Sequence, residues 1–177
     1  MTLKTLHTAR GALTLRTVTA DDAQNVRDLR LRGLTECPGI FGTAPVEIDT
    51  IDWKDQTANG NGEGDAAIFV VEADGKLVAM TGCIHHTRIK SKHSAFIWGV
   101  YVTPEYRGLR LVDELTTAAY DWAKSKGVSI VRLTVIVTNA KAIAAYQRCG
   151  FEITGTEIAA IAWEGVEYDE YLMIRRA

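Results

Sequence analysis

The stretch VYVTPEYRGLRLVDEL, residues 100–115, decides how the rest of the chain is read. It opens as a strand, stops at Pro104, turns, and enters a helix. A glycine at such an entry brings backbone N–H groups close to a phosphate, because the first helical turn carries donors with no partner inside the helix. Arg107–Gly108 suits that task, whereas Arg110 stands where a second glycine is expected. Taken alone, residues 106–112 equally describe an ordinary helix start without a ligand.

Upstream, HSAFIWGVYV (93–102) reads as a strand. Simple alternation puts Phe96, Trp98, Val100 and Val102 on one face and Ala95, Ile97, Gly99 and Tyr101 on the other. Gly99 marks a bulge or a close backbone approach. Before it, AAIFVVEA (66–73) and LVAMTGCIHH (77–86) flank Asp74–Gly75, a strong hairpin signal. ALTLRTV (12–18) alternates like a strand, and Thr19 with Asp22 starts a helix running to about Glu36. That helix carries Val26, Leu29, Leu31 and Leu34 near one another, and Pro38–Gly39 breaks it. A second helix is expected from Pro45, with Ile48, Ile51 and Trp53 as its apolar residues; GNGEG (60–64) reads as the most flexible piece.

Downstream, Leu111, Leu115, Ala118, Ala119 and Trp122 keep helical spacing up to Gly127. SIVRLTVIV (129–137) is a β-branched, buried strand. Asn139 caps a short helix closed by Gly150. Residues 151–162 and 166–176 form a last hairpin around Glu164–Gly165. The order implies an α/β fold: a mixed, largely antiparallel sheet of about six to seven strands flanked by four helices. Residues 12–177 make one domain and residues 1–11 an N-terminal extension.

Bulk properties narrow the function. At 177 residues the chain holds one domain with a proper core. A net charge of −2 offers no basic surplus for nucleic acid or a membrane surface. No apolar run approaches a membrane span, and MTLKTLHTARG lacks the apolar stretch of a signal peptide. Three widely spaced cysteines, Cys37, Cys83 and Cys149, form neither a disulfide framework nor a zinc pattern, so a reducing cytoplasm is expected.

A second stretch, LTVIVTNAKAIAAYQRCGFEITG (133–155), joins the first in resembling the GNAT-type N-acetyltransferase superfamily. The first stretch resembles that family's acyl-CoA motif, a strand and proline followed by R-x-x-G-x-G/A opening a helix. The second resembles its strand–Asn–helix–Tyr–Gly-Phe segment almost position for position, and the element order agrees from about residue 12 onward. The resemblance implies an enzyme that transfers an acetyl group from acetyl-CoA to a primary amine by direct attack, without a metal. The turn of Arg107, Gly108, Leu109, Arg110, Leu111 and Val112 would receive the pyrophosphate. The backbone of Val100, Tyr101 and Val102 would pair with the pantetheine arm as a strand edge does, and polarise the thioester carbonyl. Asn139 would bind the arm. Tyr146, seven residues on and roughly 10 Å along the same helix face, would protonate the departing thiolate. The acceptor site would be built from about 30–55 and 157–168, and a homodimer is compatible with the family.

Two departures stand out. Arg110 replaces the first motif glycine and Val112 the G/A position, which favours a rival reading as a non-catalytic or regulatory acyl-CoA-binding domain. An outward-turned Arg110 would itself reach a phosphate. Asn139 serves equally as a helix cap, and Tyr146 equally as a core aromatic. His85, His86 and His93 suggest a metal, but neighbouring strand residues point to opposite faces. Cys149 has no base nearby in sequence and reads as a packing residue. Trp53, Trp98 and Trp163 are candidates for an acceptor pocket or for the core. Glu36, Glu47 and His85 are conceivable general bases acting through water, and Glu36, Glu47, Asp49 and Asp52 mildly favour a cationic amine.

Overall fold

The computed structural model describes residues 2–177. Eight strands form one sheet in the order β1-β2-β3-β4-β5-β6-β8-β7. They are β1 (Thr2–Thr8), β2 (Gly11–Thr17), β3 (Ala66–Ala73), β4 (Lys76–His85), β5 (Ser94–Val102), β6 (Ile130–Ile136), β7 (Glu152–Trp163) and β8 (Val166–Arg176). The helices are α1 (Ala23–Glu36), α2 (Trp53–Asn59), α3 (Leu111–Ser125) and α4 (Ala140–Arg148). All neighbouring strands pair antiparallel except β5 and β6.

That parallel pairing is short. It joins Ser94, Ala95 and Phe96 to Ile130, Val131 and Arg132, and then ends. Beyond Phe96 the two strands part, so the edge of β5 that faces β6 carries no ladder from Ile97 to Val102. The opposite edge stays paired with β4. This splay is the topological reason for a cleft in the middle of the sheet.

Two apolar clusters cover the two faces. α3 and α4 pack on one face, with Leu111, Leu115, Ala119 and Tyr146 meeting Ala95, Ile97, Leu133 and Val135. α1 and α2 pack on the other, where Val26, Leu29, Leu34 and Trp53 meet Ile68, Val70, Met80 and Tyr101.

Several expectations change on contact with the structure. Within the N-terminal extension, Thr2–Thr8 pairs with β2 and supplies an eighth strand beyond the six or seven expected, with Leu6 buried. The helix expected from Pro45 is two pieces. A 3₁₀ turn covers Pro45–Thr50, Ile51 is extended, and the Asp52 carboxylate then accepts the Lys54 and Asp55 N–H groups to start α2. The glycine-rich 60–64 is pinned: Trp122 Nε1 donates to the Gly62 carbonyl at 2.8 Å and Lys126 to that of Glu63 at 2.8 Å. Gly60 is buried, and a Cβ there would sit 2.8 Å from the Gln56 carbonyl oxygen.

The faces of β5 also differ from simple alternation. Gly82 pairs with Trp98 and Met80 with Tyr101, so β5 spends one residue more than β4 between these points. Gly99 takes up the extra residue with φ 65°, a conformation suited to glycine. One inserted residue reverses every side chain that follows. Val102 therefore joins Ala95 and Ile97, and Tyr101 joins Trp98.

Candidate active site

The cleft opened by the splay has a volume of about 1120 Å³. Its floor is β5 from Phe96 to Val102, and its far wall is β6 with α4. Val100, Tyr101, Val102, Arg107, Gly108, Arg110, Leu111, Val112, Asn139 and Tyr146 all line it. Leu109 is the one expected residue outside the lining, because its side chain packs against the apolar cluster under α3.

The turn into α3 retains the geometry that glycine would give. Arg110 sits at φ 57° and ψ 25°, in the left-handed region. The substitution therefore keeps the turn and changes only what projects from it. No side chain caps α3, so its first-turn N–H groups face the cleft uncapped. The Gly108 Cα is open, with nothing within 4 Å of where a Cβ would stand. Arg110, Lys141 and Arg148 line the same mouth. Arg148 grips Asp113 with two hydrogen bonds of 2.8 and 2.9 Å, neutralising the carboxylate nearest the helix start. An uncapped helix start with Arg110 and Lys141 in the same cleft lining suits a pyrophosphate.

Arg107 behaves otherwise. Its Nε donates to the Val102 carbonyl at 3.1 Å and its Nη2 lies 3.5 Å from Glu36. It braces the end of β5, and the Val102 carbonyl is already engaged. The unladdered N–H and C=O groups of β5 before Val102 are those left for an arm of amide character.

Asn139 does two things, as its chemistry permits. Its side-chain oxygen accepts the Ala142 N–H at 3.2 Å and caps α4, which leaves its amide N–H₂ group on the cleft side. Tyr146 is only 5% exposed and stacks edge-on to Phe151 with ring centroids 6.3 Å apart. Among the described residues its hydroxyl has no hydrogen-bond partner. Burial pushes its pKa upward, so the hydroxyl keeps its proton at neutral pH.

The other end of the cleft is lined by Cys37, Ile40, Phe41, Gly42 and Thr43 after α1, and by Ala160 and Ile161 of β7. Both groups fall in the ranges expected to hold the acceptor. Two residues that sequence reading passed over lie here. Glu170 of β8 lines the cleft, and burial pushes its carboxyl pKa upward, aided by the charge of Glu157 directly across the β7–β8 pair. Arg30 of α1 lines it too. Its signal was present in the sequence: Val26, Arg30 and Leu34 lie one turn apart, so a charge falls on the apolar stripe.

The bases considered from sequence lie elsewhere. Glu36 accepts the Tyr101 hydroxyl at 2.6 Å and pairs with Arg32, which holds its pKa below the ordinary value. Glu47 accepts the Ala44 N–H, His85 Nε2 contacts the Lys92 carbonyl at 2.8 Å, and neither residue lines the cleft. Asp49 pairs with Arg27 and Asp52 caps α2, so neither offers its charge to an acceptor. Of the three tryptophans, Trp98 lines this cleft, Trp53 is core, and Trp163 lines a smaller pocket beside it. Cys149 is buried with its pKa raised, and Cys83 is pushed up to about 12, so neither is a thiolate nucleophile. Among the described residues no cluster of three metal-ligating side chains forms, and no helix is long and apolar enough to cross a membrane.

Known proteins share this architecture. An acetyltransferase of the GNAT family from Streptococcus pneumoniae superposes with a TM-score of 0.84 at 20% identity, covering 93% of this chain and 99% of that one. A Salmonella typhimurium structure solved with its cofactor acetyl-CoA gives 0.79 at 18% identity, covering 93% of each chain. In sequence, an uncharacterized N-acetyltransferase of Methanocaldococcus jannaschii is 37% identical over 86 residues, 48% of this chain and 38% of its own length. A mycothiol acetyltransferase of Paenarthrobacter aurescens is 33% identical over 93 residues, 51% of this chain and 28% of its own length. The match thus spans well under half of these curated relatives. The sequence pattern of the acetyltransferase (GNAT) family matches residues 30–151, more than half the chain, including the first of the two stretches and the second as far as Phe151. The chain belongs to the acetyltransferase (GNAT) family.

Proposed function

We propose that this chain transfers an acetyl group from acetyl-CoA to a primary amine by direct attack, with Tyr146 as proton donor and Glu170 as general base. The observation that carries the reading is one continuous cleft. It runs from the uncapped start of α3, along the free edge of β5, to a buried tyrosine hydroxyl and a carboxyl of raised pKa. Acetyl-CoA supplies an activated carbonyl and a thiolate leaving group.

The residues divide the work. The α3 turn and its cations anchor the phosphates, and β5 with Asn139 orients the arm. Backbone N–H groups at the bulge polarise the carbonyl. Glu170 takes a proton from the attacking ammonium, directly or through one water, so that the amine lone pair forms the C–N bond. As the C–S bond breaks, the thiolate takes the Tyr146 proton, and the tyrosinate recovers a proton from the second N–H that the nitrogen loses in becoming an amide. A carboxyl whose pKa lies above the ordinary range is a better base near neutrality than an unperturbed one.

The rival reading, a domain that binds acyl-CoA without chemistry, drew on Arg110 and Val112. Arg110 adopts the glycine-like backbone, so its conformation gives this rival no support. The test is thiol release from acetyl-CoA with a panel of amines. Tyr146→Phe should cut kcat by roughly a hundredfold or more while acetyl-CoA still binds. Unchanged kcat would remove Tyr146 from the chemistry, and no thiol release from the wild type with any amine would favour the rival.

A further inference from the structure

Arg30 is an anomaly that the chemistry above does not use. It is 6% exposed, on the α1 face of the sheet. Its guanidinium lies over the Phe41 ring at 4.4 Å from the centroid and beside Trp98 at 6.0 Å. Its Nη1 is fully covered, and neither a hydrogen bond nor an ion pair to any described residue satisfies it. The Trp98 indole N–H next to it is also covered and unpartnered.

Buried arginines are ordinarily paired, because an isolated charge loses several kcal/mol of hydration. Desolvation lowers the pKa of Arg30 to about 10, which still leaves it protonated at neutral pH. Stacking on two aromatic rings offsets part of the lost hydration but fills no N–H donor. The group is held where it can be used: Nη1 would stand 3.4 Å from a Cβ at Gly99, the bulge in the cleft floor, and Arg30, Phe41 and Trp98 all line the cleft.

We infer that Arg30 is a specificity residue for the acceptor, and that the acceptor amine also carries a carboxylate which pairs with this guanidinium. This rests on the acetyl-transfer reading and deepens it. One cation among aromatic walls matches one negative charge. A phosphate dianion would bring a second charge with no partner on that wall. The planar fork of arginine binds a carboxylate through two parallel hydrogen bonds. Arg30 comes from α1, on the face away from α3 and α4, and so approaches the cleft from the acceptor side rather than from the side of the phosphate-binding turn.

The experiment is a matched panel of amino acids and their carboxamides, read by thiol release and by Trp98 fluorescence in the presence of desulfo-CoA. Wild-type protein should prefer the acids by about tenfold to a hundredfold in kcat/KM, mostly through KM, as expected for a charged hydrogen-bonded pair. Arg30→Gln should erase the preference, with acetyl-CoA binding intact by calorimetry, and Arg30→Lys should retain part of it. If Arg30→Gln fails to fold, Arg30→Lys and the wild-type panel still decide. Acids and amides used or bound alike by the wild type would overturn the inference. So would an equal fall in kcat for both in either variant, which would assign Arg30 to the thioester carbonyl instead. Failure of the wild type to bind acetyl-CoA would sink the transferase reading itself, a different outcome from binding without acid preference.

Discussion

At the scale of single residues, glycine geometry governs the site. Arg110 holds φ 57° without the freedom glycine has there, which costs roughly 1 kcal/mol. Arg110→Gly should therefore raise thermal stability by about that amount. It should also weaken acetyl-CoA binding by about threefold to tenfold, since a cation is lost from the cleft mouth. Calorimetry at two salt concentrations checks this; tighter binding would mean that the side chain obstructs. Gly82 makes a second case. A Cβ there would run into the Trp98 indole. Gly82→Ala should lower stability by about 1–3 kcal/mol and shift Trp98 fluorescence. An unchanged emission maximum and midpoint would show that the ring has room to move.

Secondary elements add the ionic joints. Asp22 accepts two hydrogen bonds from Arg16, of 2.7 and 2.8 Å, and the N–H of Thr19, tying the end of β2 to the start of α1. The Arg16 guanidinium holds the Asp22 pKa below its ordinary value. Its contribution is therefore complete above the unfolded-state value of about 3.9 and is lost as pH falls through the lower folded value. Asp22→Asn should cost about 2 kcal/mol at pH 7 and progressively less as pH falls below the unfolded-state value; a loss that does not change with pH would contradict the assignment. Glu170 titrates in the opposite sense, since burial raises its pKa. Activity should rise with pH as it ionises, and Glu170→Gln should flatten that limb of the kcat profile. A limb that survives the substitution would belong to another group.

Much of this level was legible in the sequence. Asp74–Gly75 and Glu164–Gly165 both occupy positive φ at their hairpins, as turn chemistry demands. The Gly99 bulge was foreseen, but its effect on facing was not, because period-two alternation carries no marker for an inserted residue. β1 was missed because only Leu6 of its seven residues is buried. The break at Ile51 was missed because Ile48, Ile51 and Trp53 mimic helical spacing. The residues of the turn at 107–112 were legible since they are contiguous. Glu170 was not, since only folding brings β8 beside β6 and raises its pKa.

For the whole molecule, the short β5–β6 pairing explains why ligand chemistry concentrates in one place. Sheet strain and unsatisfied backbone would ordinarily close such a gap. Here the gap stays open between two separately packed faces, α3 with α4 and α1 with α2. On the proposed reading each face supplies one half of the reaction site: phosphate anchoring and the proton donor from one, acceptor recognition from the other. The central claim is that acetyl-CoA occupies this gap with its pyrophosphate on the α3 turn. Calorimetric titration with acetyl-CoA, with desulfo-CoA and adenosine diphosphate as controls, tests it most directly. Micromolar binding is expected, with most of the affinity retained by adenosine diphosphate and weakened by Arg110→Gly. No binding at millimolar acetyl-CoA would contradict it, and would mean that Arg110 and Val112 close the cleft they line.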